Sequence, residues 1–142
     1  MMFKTILLAI DGSENARRAA ESACALVGEI AGSSLVVVYA SPNPPSQSRI
    51  MKADFDVHTL LIEDAHAVAG QTLDSIKNSG TAYTLEVSMG APAIEIIKIA
   101  EKTKAGLIIM GSRGLGSLKG AVLGSVSQKV AQHAACPVMI VK

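Results

Sequence analysis

Between Met110 and Val130 the chain reads MGSRGLGSLKGAVLGSVSQKV, with glycines at 111, 114, 116, 120 and 124 and serines among them. Small residues at this density expose backbone amides. Three chemistries use such a stretch: a phosphate cradle, a dinucleotide-binding turn, or a loop that is merely flexible. The stretch follows an apolar run and precedes a helical pattern that starts near Ser125. The first-turn N–H groups of that helix, with a dipole worth roughly half a positive charge, would attract an anion. Gly111 and Gly114 would let the backbone come close to a ligand and adopt positive φ. Gly124 would remove the Cβ that otherwise shields the first-turn amides. Ser125 and Ser127 would add hydroxyl donors, although Ser127 could equally just occupy the first helical turn. Arg113 could add a charge-assisted contact, but a solvated surface arginine is the commoner role for such a side chain.

Two familiar phosphate signatures do not fit. The P-loop pattern G-x-x-x-x-G-K-[ST] is absent from the chain, so no Lys–Ser/Thr pair serves Mg2+ and a γ-phosphate. GLGSLKG, Gly114 to Gly120, reads G-x-G-x-x-x-G, follows the fourth apolar run rather than the first, and has no ribose-binding acid about 20 residues on. Gly116 and Gly120 are expected only to mimic a dinucleotide turn and to supply flexibility. No catalytic constellation accompanies the glycines. There is no G-x-S-x-G elbow and no H-E-x-x-H, and His58, His66 and His133 fall in helical segments without a nucleophile beside them. Slow ATP hydrolysis is the most that Asp11 could support, and the chain is not expected to be an enzyme.

The elements that must position these residues follow from periodicity. FKTILLAI, SLVVVYA, AGLIIMG and PVMIVK are near-continuous apolar runs, as strands covered on both faces should be. AYTLEVSM alternates through Tyr83, Leu85 and Val87, which suits an edge strand. Helical spacing links them. Ala16, Ala19, Ala20, Ala23, Leu26, Val27 and Ile30 follow a Ser13 N-cap and stop at Gly32. Val57, Leu60, Leu61, Ala65, Val68 and Ile76 end at Gly80. A third helix opens at Pro92 with Ile94, Ile97 and Ala100 on one face, and a fourth carries Val122, Val126, Val130 and Ala134. The order β-α-β-α-β-α-β-α-β predicts a parallel sheet with helices on both faces and right-handed crossovers. Ser41 to Asp54 holds three of the five prolines; it is either a mobile lid or an inert insertion. Ligands of such sheets bind beyond the carboxyl strand ends, here Ala9–Ser13, Val38–Ser41, Ser88–Pro92 and Met110–Gly114.

Gly111-x-x-Gly114, nine residues, then Gly124-Ser125 resembles the G-2x-G-9x-G-[S/T] nucleotide motif of the universal stress protein family. ILLAIDGSENARRA, LIIMGSRG and ACPVMIVK resemble that family's first, fourth and fifth strands, so the likeness runs the length of the chain. It implies an adenine-nucleotide α-hydrolase-like, Rossmannoid α/β fold with five parallel strands in the order 3-2-1-4-5, and it implies a cytosolic stress or signalling protein that senses nucleotide. Carried over by position, Asp11 with the backbone of Ala9 and Ile10 would sit at adenine and ribose, and Ala40 would contact the base. Met110, Gly111, Arg113 and Gly114 would wrap ribose and phosphates. Gly124, Ser125, Val126 and Ser127 would hold the phosphates, with Met89 and Gly90 beside them. ATP, AMP and cyclic AMP all offer adenine to such a site, and Mg2+ or Mn2+ could accompany the phosphates, held more by nucleotide than by protein. Family members pair as homodimers through the last strand, here residues 137–142. The alternatives are a dimeric interaction module with no need of nucleotide, and a slow ATPase or nucleotidyl-transfer enzyme.

Composition bounds these readings. The 142 residues suit one domain, and 49% hydrophobic with 18% charged residues suits a compact chain. A formal charge of +1 gives no footprint for nucleic acid. No apolar run approaches the about 18 residues of a membrane span, and the N-terminal run is too short for a signal peptide, so a cytoplasmic location is expected. Cys24 and Cys136 lack ligand or CxxC spacing and are expected to be reduced thiols.

Overall fold

The computed structural model describes residues 1–114 and 123–142. Among these described residues the elements follow in order: β1 (Thr5–Ile10), α1 (Glu14–Glu29), β2 (Ser34–Ser41), α2 (Gln47–Lys52), α3 (Val57–Asn78), β3 (Tyr83–Met89), α4 (Pro92–Thr103), β4 (Leu107–Gly111), α5 (Ser125–His133) and β5 (Val138–Val141). The strands form one parallel sheet in the order β3-β2-β1-β4-β5. This is the expected strand order, with the alternating β3 at an edge. Because β1 and β4 are neighbours, the connections leaving them run to opposite sides. The crevice between their carboxyl ends is the topological switch point.

Strand alternation divides the core in two. Ile6, Leu8 and Ile10 point to one face, against α1 and α3 through Ala19, Ala23, Ala65, Leu73 and Ile76. Leu7 and Ala9 point to the other, against α4 and α5 through Ala93, Ile96, Ile99 and Val130. With no tryptophan available, α1 reaches the sheet by being small: Ala16, Ala19, Ala20 and Ala23 are all buried. Ser13 caps α1 as expected, its Oγ accepting from the Ala16 N–H at 3.1 Å.

The Pro-rich segment contains one short helix, α2, capped by Ser46. Two local expectations shift. The buried face of α4 runs through Ala93, Ile96, Ile99 and Ala100, while Ile94 is exposed and Ile97 half-buried. Several registers of this isoleucine-rich helix look alike in sequence, and packing against the sheet selects one. Helix α3 is interrupted at Ala69 (φ −122°, ψ 25°), where Val68 turns out of the core. Val122, Gly116 and Gly120 lie outside the described residues.

Candidate functional site

At the switch point the chain encloses a cavity of about 570 Å3, within the range of small-molecule sites. Its walls include the ends of β1, β2 and β4 and the start of α5. From β1 and the turn after it come Ala9, Ile10 and Asp11; from β2, Tyr39 and Ala40; from β4, Met110, Gly111, Arg113 and Gly114; from the start of α5, Gly124, Ser125, Val126 and Ser127. Twelve of the fourteen residues singled out in sequence thus line one space. Met89 and Gly90 are not among its lining residues. The Gly90 N–H donates to the Ser41 carbonyl at 2.9 Å, so the end of β3 braces β2 from outside, and Ala40 and Ser41 form the wall there.

Asp11 has two structural tasks. One carboxylate oxygen accepts from the Ser13 N–H at 2.9 Å, closing the turn into α1. The other faces Gly114, where a Cβ would collide with it. Gly12 has φ +85°, and a Cβ there would stand 2.5 Å from the Val68 carbonyl oxygen, so only glycine lets this turn lie against α3. At Gly111 a Cβ would come within 2.7 Å of the Asn15 backbone carbon and Cβ. Neither Gly111 nor Gly114 has positive φ, contrary to expectation. Their lack of a side chain is needed by α1 and by Asp11.

Gly124 is the N-cap of α5 and has no side chain to cap it, so the first turn opens on the cavity with its amides. The Gly124 N–H itself donates to the Ser112 carbonyl at 2.7 Å. Ser125 is exposed. Ser127 is 2% exposed, and its hydroxyl donates to the carbonyls of Ser112 (2.8 Å) and Gly124 (3.0 Å). A hydroxyl has one proton to give, so Ser127 in this arrangement anchors the helix rather than offering a donor to the cavity.

The Pro-rich segment, read in sequence as a lid or an inert insertion, forms the roof. Pro42, Asn43, Pro44, Pro45, Ser46 and Arg49 all line the cavity, with Asp64 and Val68 from α3 opposite. Arg49 donates to Asp64 at 3.0 and 3.5 Å and lies 3.9 Å from Glu63, tying α2 to α3. The bond to Asp64 raises the Arg49 pKa above its ordinary value. The proline cluster was the available signal, whereas Arg49 and Asp64, fifteen residues apart, carry no pattern. Burial pushes the Tyr39 phenol up, with the charges of Asp64 and Asp11 adding to it, against a hydrogen bond with Ser41. Both cysteines are free, and burial raises the Cys136 thiol. Among the described residues no group of three or more His, Cys, Asp or Glu could hold a metal ion, and no helix is long and apolar enough to cross a membrane.

The family model of the universal stress protein family matches residues 2–142. A universal stress protein of Thermus aquaticus is 40% identical, with 99% of this chain and 100% of the relative covered. The structure of protein MJ0577, from Methanocaldococcus jannaschii, superimposes with a TM-score of 0.76 at 29% identity, covering 100% of this chain and 97% of that one. A universal stress protein solved in complex with cAMP gives 0.74 at 25% identity, covering 100% and 99%.

Proposed function

The chain belongs to the universal stress protein family, and from that premise we propose that it binds an adenine nucleotide, ATP first among them, at the switch-point cavity. We read residues 1–142 as one nucleotide-sensing domain that works in the cytoplasm in stress response or signalling. The observation that carries the reading is that Asp11 and the uncapped start of α5 face one cavity from opposite ends of the sequence. The adenosine end takes Ala9, Ile10, Asp11 and Ala40, with Tyr39 and Val68 as apolar walls. The phosphate end takes Met110, Gly111, Arg113 and Gly114, and the amides of Ser125, Val126 and Ser127, with Gly124 leaving that first turn uncovered. The cAMP complex of a relative supports adenine as the base. Mg2+ or Mn2+, if recruited, would be held by the phosphates, since the described residues offer it no cluster.

Among the described residues that line the cavity no general base stands with a positioned nucleophile, and the output we propose is ligand occupancy rather than turnover. The same reading makes the chain a homodimer through residues 137–142, supported by β5 lying at the sheet edge. Calorimetry with ATP, AMP and cyclic AMP tests the site. Binding by the wild type and its loss in Gly124→Leu are expected. Failure of the wild type to bind any of the three would overturn the proposal.

A further inference from the structure

Asn15 is the second residue of α1, in its first turn beyond the Ser13 cap. It is also 7% exposed, although a buried amide must be paired on both sides. Both sides are paired, the amide nitrogen over long range and the oxygen within α1. Its Nδ2 donates to Ser112 Oγ at 3.1 Å across 97 residues, and its Oδ1 accepts from Arg18.

Ser112 in turn joins three elements. Its N–H donates to the Val141 carbonyl of β5 at 2.7 Å. Its carbonyl accepts from the Gly124 N–H and from Ser127 Oγ, the two bonds that set the start of α5. Its hydroxyl meets Asn15. Arg18 closes the loop by donating from Nε to the Lys142 carbonyl at 2.8 Å. Gly111 is pressed against Asn15 with no room for a Cβ, so the asparagine meets β4 by both packing and hydrogen bonding.

We propose that Asn15, which does not line the cavity, is a positioning residue for its phosphate end. Through Ser112 it fixes where the α5 amides point, and through Arg18 it ties that helix start to the end of β5. This rests on the nucleotide reading for its ligand, but the linkage itself exists without one. Displacing Ser112 moves the acceptor of the Gly124 N–H, and a misaimed amide turn loses phosphate while the adenosine walls stay as they were.

The test compares Asn15→Leu with Asn15→Asp, in which Ser112 can turn its hydroxyl to donate and Arg18 keeps an acceptor. Leu35→Ala, in β2 far from the cavity, serves as a destabilised control. In the absence of nucleotide, amide exchange at Ser112 and Gly124 should speed up in Asn15→Leu, and stay near wild type in Asn15→Asp and in the control. In titrations, Asn15→Leu should weaken ATP by about tenfold and leave adenosine within about twofold, with Asn15→Asp restoring ATP. Unchanged exchange at Gly124 overturns the positioning, whatever the ligand proves to be. Equal losses for ATP and adenosine overturn its restriction to the phosphate end. A wild type that binds neither ligand removes the nucleotide reading, and the exchange result then decides the positioning on its own.

Discussion

Gly111 and Gly114 belong to one motif, yet the absence of their side chains serves different neighbours. A methyl at Gly111 meets Asn15 backbone, which cannot yield without moving α1. Gly111→Ala should therefore cost about 1–3 kcal/mol of stability, read by chemical denaturation, and should lower ATP affinity only as a consequence. A methyl at Gly114 meets the Asp11 carboxylate, which can swing away. Gly114→Ala should leave stability near wild type and weaken nucleotide binding, measured by titration. If the two variants behave alike, the division is wrong. Motif spacing pointed to both positions in the sequence, but the expectation of positive φ did not hold. Spacing records that a side chain is forbidden and not which neighbour forbids it.

Helix ends can be tested where a cap is visible. Ser13→Ala should cost about 1 kcal/mol through loss of the bond to the Ala16 N–H, with Ser13→Thr recovering most of it in the same denaturation experiment. Asp56 caps α3 by accepting from Thr59 Oγ1 at 2.6 Å and from the Thr59 N–H at 3.1 Å, and these bonds hold its carboxyl below the usual value. A lowered folded pKa means that the stabilisation is present above the ordinary carboxylate range and is lost as pH falls through the folded value. The wild type should melt above Asp56→Asn near neutrality, and the two should converge below about pH 4 as the carboxyl takes up its proton. The roof offers a kinetic prediction. Arg49 and Asp64 are exposed enough for salt to screen them. Arg49→Ala should speed nucleotide release several-fold in stopped-flow while barely moving the melting temperature, and added salt should narrow the gap. The Ser13-capped helix and the continuous strands were legible in sequence because their signals are local. The buried face of α4 and the Arg49–Asp64 tie were not, because only the packed sheet selects among isoleucines or brings those charges together.

At the scale of the molecule, a parallel sheet must end somewhere. Here β5 forms one edge, with Met139 37% exposed. If residues 137–142 join two copies, Met139→Lys places a charge on a surface that pairing must desolvate. Sedimentation should then report a dimer for the wild type and a single chain for the variant; a monomeric wild type removes the proposal. The strand order and the switch-point cavity were readable from the alternation of elements together with the family likeness, because both are properties of connectivity. The tie from the cavity through Ser112 to β5 was not, since it links residues from both ends of the chain through hydrogen bonds that leave no periodic trace. One wall of the cavity also has an optical consequence. The chain contains no tryptophan and two tyrosines. Tyr39 lines the cavity, while Tyr83 begins β3, at the opposite end of the sheet from the strand tips. Ultraviolet-excited emission from the unmodified protein therefore divides between one ring at the cavity and one remote from it, and a base stacked near Tyr39 would quench the first and spare the second, making the protein its own label-free reporter of occupancy.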